Sequence, residues 1–196
     1  MFDPEIPASR PGPWDWADLF GRSAAVELEL GFGKGRFLLE SARAQPATDF
    51  VGVELSRKWF RDAKRRMQKH EDCPENLRIV CAEAMDLLAR KVPDASLAAL
   101  HVYHPDPWPK RRHHKRRLLG PRFLAEATRA IAPGGELRVT TDHAGYAARI
   151  AALLAAPPGF AAMDWPADAL PNTHFEAKYR LEGRPIHRFR LRREES

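Results

Sequence analysis

The sequence predicts an α/β protein built on a mainly parallel seven-stranded sheet with helices on both faces. Three observations predict it. Strand-like and helix-like segments alternate five times between Ala24 and Ala156. A glycine-rich turn, Gly31-Phe-Gly-Lys-Gly35, joins the first strand to the first helix. Two further strand-like segments follow Pro157-Pro-Gly159 and are placed to pair as a closing antiparallel hairpin. Each parallel crossover must return over the sheet through a right-handed helix, which covers both faces and sends ligands to the carboxyl ends of the strands.

Residues 1–21 carry Pro4, Pro7, Pro11 and Pro13 before Trp14-Asp-Trp16-Ala-Asp-Leu-Phe20, so they read as an irregular arm with an aromatic end packed on the single domain of residues 22–196. Ala24 to Leu30 alternates as a strand, and Arg36 to Gln45 follows the glycine turn as a helix. Asp49 to Glu54 is the second strand. Lys58 to about Glu71 is a helix with Trp59, Phe60, Ala63 and Met67 on one face. Asn76 to Ala82 is the third strand, Met85 to Val92 a helix, and Ser96 to Tyr103 the fourth strand. Leu118, Leu119, Phe123, Leu124, Ala127 and Ile131 mark an amphipathic helix closed by Pro133-Gly-Gly135. Glu136 to Thr141 is the fifth strand and His143 to Ala156 the last helix, before the hairpin of Phe160 to Trp165 with Ile186 to Arg193.

At 196 residues and 44% hydrophobic the chain fits one domain with a full core. Net charge is +6 and the pI near 9.6. Since 26 acidic residues are present as well, the placement of the positive charge matters more than its total. It concentrates in residues 110–117 and 184–193, a basic loop and a basic tail that favour a polyanion such as nucleic acid. Cys73 and Cys81 lack metal-site spacing and read as reduced thiols. No stretch approaches the ~20 apolar residues of a membrane span, and the proline-rich start lacks a signal peptide's apolar core, so a cytoplasmic protein without a membrane partner is expected. The sequence does not choose between monomer and homodimer.

The most lopsided stretch is His104-Pro-Asp-Pro-Trp-Pro-Lys-Arg-Arg-His-His-Lys-Arg-Arg117. Pro105, Pro107 and Pro109 cannot donate backbone hydrogen bonds and restrict the residues before them, which predicts a rigid, exposed loop rather than helix or inner strand. A single carboxylate, Asp106, fixed beside a block of cations suits a reacting or base-contacting group next to a phosphate-binding surface. The blander reading, a solvated charge run, does not account for the Pro-Asp-Pro-Trp brace.

Gly31, Gly33 and Gly35 let backbone approach a ligand closely and free the amides of a helix N-terminus, while Glu54 closes the next strand where a carboxylate accepts both ribose hydroxyls. A glycine turn alone is often only a turn. Here it lacks the G-x-G-x-x-G of dinucleotide sites and is preceded by Glu29, which repels a pyrophosphate. A cationic cofactor such as S-adenosylmethionine, with its sulfonium and ammonium, meets that condition. Glu83 at the third strand end is placed to accept from its adenine, or simply to cap the following helix. Asp142 likewise stands at a strand end or as a helix cap. His101 and His104 flank a buried strand and read as satisfied core groups, or as groups supporting the site from behind, rather than metal ligands, and no metal is assigned.

On Glu29-Leu-Gly-Phe-Gly-Lys-Gly35, Gly52-Val-Glu54, Asn76-Leu-Arg78, Pro105-Asp-Pro-Trp-Pro-Lys110, His113-His-Lys-Arg-Arg117, Thr141-Asp142 and Asn172-Thr-His-Phe-Glu176, the chain resembles the bacterial tRNA (guanine-N7-)-methyltransferases from about Val26 to its end. The Pro-Asp-Pro-Trp element with its basic run is the specific part, and the glycine loop adds only class. The resemblance implies a Rossmann-like class I methyltransferase that moves a methyl group from S-adenosylmethionine to N7 of a guanine in the tRNA variable region. It also implies that Glu29, Glu54, Glu83 and Asp106 are cofactor-binding, with Asp106 also catalytic. Lys110, Asp142, Thr173, His174, Phe175 and Glu176 match substrate positions, and Lys115, Arg116 and Arg117 are expected on phosphate. Two departures stand out: His174 replaces the family's usual Lys, and Glu83 replaces a common Asp.

The chemistry agrees from its own side. Guanine N7 carries a lone pair and no proton at neutral pH, so attack on a sulfonium methyl needs no general base. Alignment and a carboxylate offsetting the positive charge that develops on the purine supply the rate. The rivals are a methyltransferase of this fold acting on another RNA position or a small molecule, a catalytically silent RNA-binding module, and a nicotinamide-dependent oxidoreductase. The carboxylate set argues against the second and the missing G-x-G-x-x-G against the third.

Overall fold

The computed structural model describes residues 3–69, 73–155, 157–166, 173, 176, 179 and 181–195. In chain order these form α1 (Trp16–Phe20), β1 (Ala25–Leu30), α2 (Arg36–Ala44), β2 (Thr48–Glu54), α3 (Arg57–Lys69), β3 (Leu77–Cys81), α4 (Ala84–Lys91), β4 (Leu97–Tyr103), a 3-10 helix (Arg111–Arg116), α5 (Pro121–Ala130), β5 (Ile131–Thr141), α6 (Ala144–Leu153), β6 (Phe160–Met163) and β7 (His187–Arg193). The strands make one sheet in the order β3-β2-β1-β4-β5-β7-β6. All pairs from β3 to β5 are parallel, whereas β7 runs antiparallel to both β5 and β6.

This order follows from the pattern of the strands. Leu28, Val51, Val53, Leu100, Val102, Leu137 and Val139 are fully buried, as central strands covered on both faces must be. Neighbours along a strand join different clusters: Phe50 and Ile79 pack with Phe37 and Met67, while Val51 and Val80 pack with Leu88 and Leu100. The chain moves outward from β1 to β3 and then back to β4 on the other side of β1. The crevice between the carboxyl ends of β1 and β4 is therefore the switch point at which open α/β sheets bind ligands.

The first residues extend the sheet rather than trail from it. Glu5 forms a parallel bridge to Ile79, with Ile79 N–H donating to the Pro4 carbonyl and Ile6 N–H to the Ile79 carbonyl, both at 2.8 Å. Trp14 is 3% exposed, and α1 brings Leu19 into the same core. The outer edge of β3 is thereby covered, which removes an open pairing edge.

Four expectations shift. The helix expected to open at Leu118 starts at Pro121, whose fixed φ favours the first helical position, and it ends at Ala130. Pro133-Gly-Gly135, expected to close that helix, lies inside β5 at the register shift opposite Leu97 and Ala99. The segment after Pro109 is a 3-10 helix instead of loop: the prolines stop there, and i→i+3 bonds such as His113 N–H to the Lys110 carbonyl at 2.8 Å take over. The basic tail forms strand β7 of the expected hairpin, but its charge, expected to face a polyanion, is largely matched internally. Glu136 accepts from Arg138, Arg190 and Arg192, and Glu176 from Arg188. Burial opposes the charge on Glu136, but these arginines hold its carboxyl at about 2. The expected ends of α3 at Glu71 and of α6 at Ala156 lie outside the described residues.

Candidate active site

The crevice begins with β1, Ala25-Val-Glu-Leu-Glu-Leu30, which sends Val26, Leu28 and Leu30 into one core cluster and Glu27 and Glu29 to the opposite face. Glu27 is satisfied there by His101 Nε2 at 2.9 Å, and His101 Nδ1 meets the Tyr103 hydroxyl at 2.7 Å. His101 is thus the satisfied core histidine that its place in the sequence suggests. Glu29 is different. It is 3% exposed, and its Oε2 has no hydrogen-bond partner among the described residues. Burial, joined by the nearby charge of Glu54, raises its carboxyl to about 8. An orphaned buried carboxylate costs about 1–3 kcal/mol or more, which a cationic ligand would offset.

After Leu30 the backbone turns through Gly31, Gly33 and Gly35 at φ +79°, +54° and +68°, values that L side chains adopt only under strain. A Cβ at Gly35 would also stand 2.8 Å from Met67 Cε, so that flexible side chain would have to move. The turn is tied to β2: the amides of Gly31 and Phe32 donate to the Val53 carbonyl at 2.7 and 3.2 Å. Glu54 completes the tie, accepting from Gly33 N–H at 2.9 Å and from Ser56 N–H at 2.7 Å. Each of its oxygens keeps a second lone pair for a ligand hydroxyl.

Glu83 caps α4, accepting from Asp86 N–H at 2.6 Å, so the capping reading is realised while its side chain still lines the crevice. The main cavity here is about 770 Å3, lined by Gly31, Gly33, Glu54, Glu83, Asp106 and Trp108 among others. That volume is in the range of cofactor sites. Glu29 and Thr173 line a separate small pocket of about 20 Å3 that shares Gly31 and Tyr103 with this cavity. Acidic groups, a buried carboxyl without a partner on one oxygen and a glycine turn fit a ligand carrying an ammonium and a sulfonium: Glu54, Glu83 and Asp106 line the crevice that could hold it, and Glu29 lies in the small pocket next to it.

A second cavity, about 610 Å3, lies beside the first and is lined by His104, Pro105, Asp106, Asp142, Tyr179 and Arg184 among others. His104, Pro105 and Asp106 line both. Asp106, exposed at the end of β4, stands in the wall between them. The wall is held firmly. Arg117 Nε donates to the Pro107 carbonyl at 2.7 Å, the Arg117 guanidinium stacks on Tyr146 at 4.7 Å, and Arg116 lies over Trp108 at 5.0 Å. Arg117, expected on phosphate, is half-buried and committed to the loop it follows. Lys110 and Lys115 are exposed, and Arg116 is exposed with its guanidinium over the indole.

Asp142 is not the cap of α6. That role belongs to His143, whose Nδ1 accepts from Tyr146 N–H at 3.1 Å, which frees Asp142 to face the second cavity with Arg184 at 3.2 Å. Thr173 Oγ1 accepts from Glu176 N–H at 2.9 Å, and Glu176 is buried against Arg188. His174 and Phe175 lie outside the described residues. Tyr179 escapes sequence reading, and Arg184 reads only as the start of the basic tail, since the pairing of β7 is what brings that distant segment to Asp142. His104 was visible, but flanking a buried strand it read as a core or supporting group rather than one facing a ligand. The groups of His, Cys, Asp and Glu among the described residues include none suited to hold a metal ion.

Comparison with known proteins points the same way. A family model described as a putative methyltransferase matches residues 23–189. A tRNA (guanine-N(7)-)-methyltransferase of Nitrosococcus oceani is 38% identical over 184 residues, 93% of this chain and 77% of the relative. One from Mycobacterium avium is 39% identical over 186 residues, 92% and 71% of the two chains. Among solved structures, the aminoglycoside resistance methyltransferase NpmB1 superposes with a TM-score of 0.66 at 20% identity, covering 94% of both chains, a likeness that shows the class I methyltransferase fold. With sheet order, crevice and relatives in agreement, the chain belongs to the tRNA (guanine-N(7)-)-methyltransferase family.

Proposed function

We propose that this protein transfers a methyl group from S-adenosylmethionine to N7 of a guanine in the variable region of tRNA, in the cytoplasm. The observation that carries the proposal is the shared wall: Asp106 lines both the acidic, glycine-floored crevice and the cavity of Asp142. The bound cofactor supplies an electrophilic methyl group on a sulfonium. The chain does the rest. Glu29 and Glu54 hold the cationic and ribose ends on one side, while Asp142 and the segment of Thr173, His174, Phe175 and Glu176, whose Thr173 lies beside Glu29, serve the base. Lys110, Lys115 and Arg116 face the phosphate backbone. N7 attacks with its own lone pair and no proton moves in the step. Asp106 orients the ring and offsets the charge that forms on it, in a wall that is already braced, so little reorganisation is needed.

Nucleoside mass spectrometry of tRNA incubated with methyl-labelled S-adenosylmethionine tests this. The proposal expects label in 7-methylguanosine at one variable-region position. Label in another nucleoside, or none, contradicts it.

A further inference from the structure

His104 is the least comfortable residue of the site. Its side chain is 3% exposed, yet neither ring nitrogen has a hydrogen-bond partner among the described residues. Its backbone sits at φ +47°, a left-handed conformation that costs a side-chain-bearing residue energy. The ring is held edge-on to Tyr179 with centroids 5.3 Å apart, and Nδ1 lies 3.7 Å from Asp142 Oδ1, outside hydrogen-bond reach. A packing residue at this position would be apolar. An imidazole that is strained, buried and unpaired on the wall of two ligand cavities marks a contact that a ligand completes.

We propose that His104 is a specificity residue that donates a hydrogen bond to O6 of the target guanine, with Asp142 accepting from N1–H and the 2-amino group beside it. This rests on the guanine-N7 reading above. The placement follows from the base itself: O6 lies between N7, which must face the cofactor crevice, and N1, which must face away from it. His104 lies between the two cavities in the same sense. Burial pushes the imidazole below the ordinary histidine value, with Asp142 and Glu176 opposing and Arg188 reinforcing the depression. The ring of the free protein is therefore neutral, with one N–H to give. Asp142 Oδ1 is 3.7 Å from Nδ1, close enough to bias the tautomer but beyond hydrogen-bond distance, so neither nitrogen's proton is spent on a hydrogen bond among the described residues of the free protein. Adenine meets the same wall badly, because its 6-amino group faces the imidazole N–H and its N1 lone pair faces the carboxylate. Sites built on such pairs discriminate far more sharply than apolar pockets do.

The test uses tRNA whose methylated guanosine, first located by mass spectrometry with the wild-type protein, is replaced by 6-thioguanosine. Sulfur is a weak acceptor, but N7, N1–H and the 2-amino group are kept. In single-turnover assays the wild-type protein is expected to prefer guanine over 6-thioguanine by about 10-fold or more, within the usual range for an unpaired buried polar group. His104→Phe keeps a planar ring but no donor, so guanine methylation should slow about 10-fold while the preference collapses toward unity. His104→Asn, which keeps an N–H and tolerates positive φ, should regain part of the preference. His104→Phe should also melt no lower than wild type, since the two orphaned nitrogens are gone. Retained preference in His104→Phe, or no preference in the wild type, overturns the assignment while leaving guanine-N7 methylation intact. Absence of 7-methylguanosine with the wild type overturns the functional reading, and this assignment with it.

Discussion

The guanidinium of Arg117 reaches back ten residues to the Pro107 carbonyl at 2.7 Å, fastening the end of the basic run to the segment that carries Asp106. Charge and chemistry are thus joined by one side chain. Arg117 Nη2 approaches the Trp108 carbonyl at 3.5 Å, and the guanidinium lies over the Tyr146 ring, whose hydroxyl accepts from Leu119 N–H at 3.2 Å. Pro105 and Pro107 stiffen the backbone, and Arg117 fixes where the stiffened piece sits.

This separates two kinds of cation in one run. Arg117→Ala should lower the single-turnover rate about 10-fold or more through misplacement of Asp106, with little change in the salt dependence of tRNA binding. Replacing Lys110 and Lys115 together by Ala should do the reverse, flattening the log-affinity against log-salt slope by about 2 units at an unchanged rate when tRNA saturates. Filter binding over a salt series, run beside single-turnover assays, checks both. A flattened slope for Arg117→Ala would place it on phosphate after all.

Glu29 makes cofactor binding depend on pH. Its carboxyl is raised to about 8 in the free protein, by burial first and Glu54 second, so a cationic ligand that requires the carboxylate must displace a proton below that pH. S-adenosylmethionine affinity should therefore rise with pH up to about 8 and then level, and calorimetry in buffers of different ionisation enthalpy should detect the released proton. For folding the sign is fixed by the raised value: the stability this group contributes to the ligand-free protein is present below its unfolded value, and is lost as pH rises through about 8. Glu29→Gln should bind the cofactor more weakly and remove both dependences.

Glu54 ties Gly33 to Ser56 as well as facing the crevice. Glu54→Ala should weaken S-adenosylmethionine by about 1.5–3 kcal/mol, the range of hydrogen bonds to a charged group, measured by calorimetric titration. The double tie adds a second expectation: Glu54→Gln, which supplies only one acceptor oxygen, should recover part of the loss. Equal affinity for wild type and Glu54→Ala would remove the ribose from this carboxylate.

The order of elements was legible because period-2 apolar runs and amphipathic helices alternate with glycine and proline between them, and five parallel strands leave little freedom in how they wind. Less legible were the places where one local signal competes with another. Pro133-Gly-Gly135 reads as a helix stop, but β4 offers a partner across the irregular start of β5 and the strand absorbs it. The arginines of β7 read as a nucleic-acid tail, because sequence spacing does not reveal that Glu136 and Glu176 lie opposite them. At the site, the strand-end carboxylates were readable from their positions after β1, β2 and β4. The division of labour was not: that His143 rather than Asp142 caps α6 is a local choice between two adjacent side chains, while the brace that Arg117 gives the Pro107 segment and the absence of a hydrogen-bond partner for His104 among the described residues depend on contacts across the site.

The central claim is that Asp106 acts on the transition state from the wall between the two cavities. Asp106→Asn keeps the shape and the reach but removes the charge, and with tRNA and S-adenosylmethionine both saturating, its single-turnover rate constant should fall by roughly 100-fold or more, as for loss of one preorganised electrostatic group, while the tRNA dissociation constant changes far less. A rate within a few-fold of wild type would contradict the account and leave Asp106 as a part of the loop's brace.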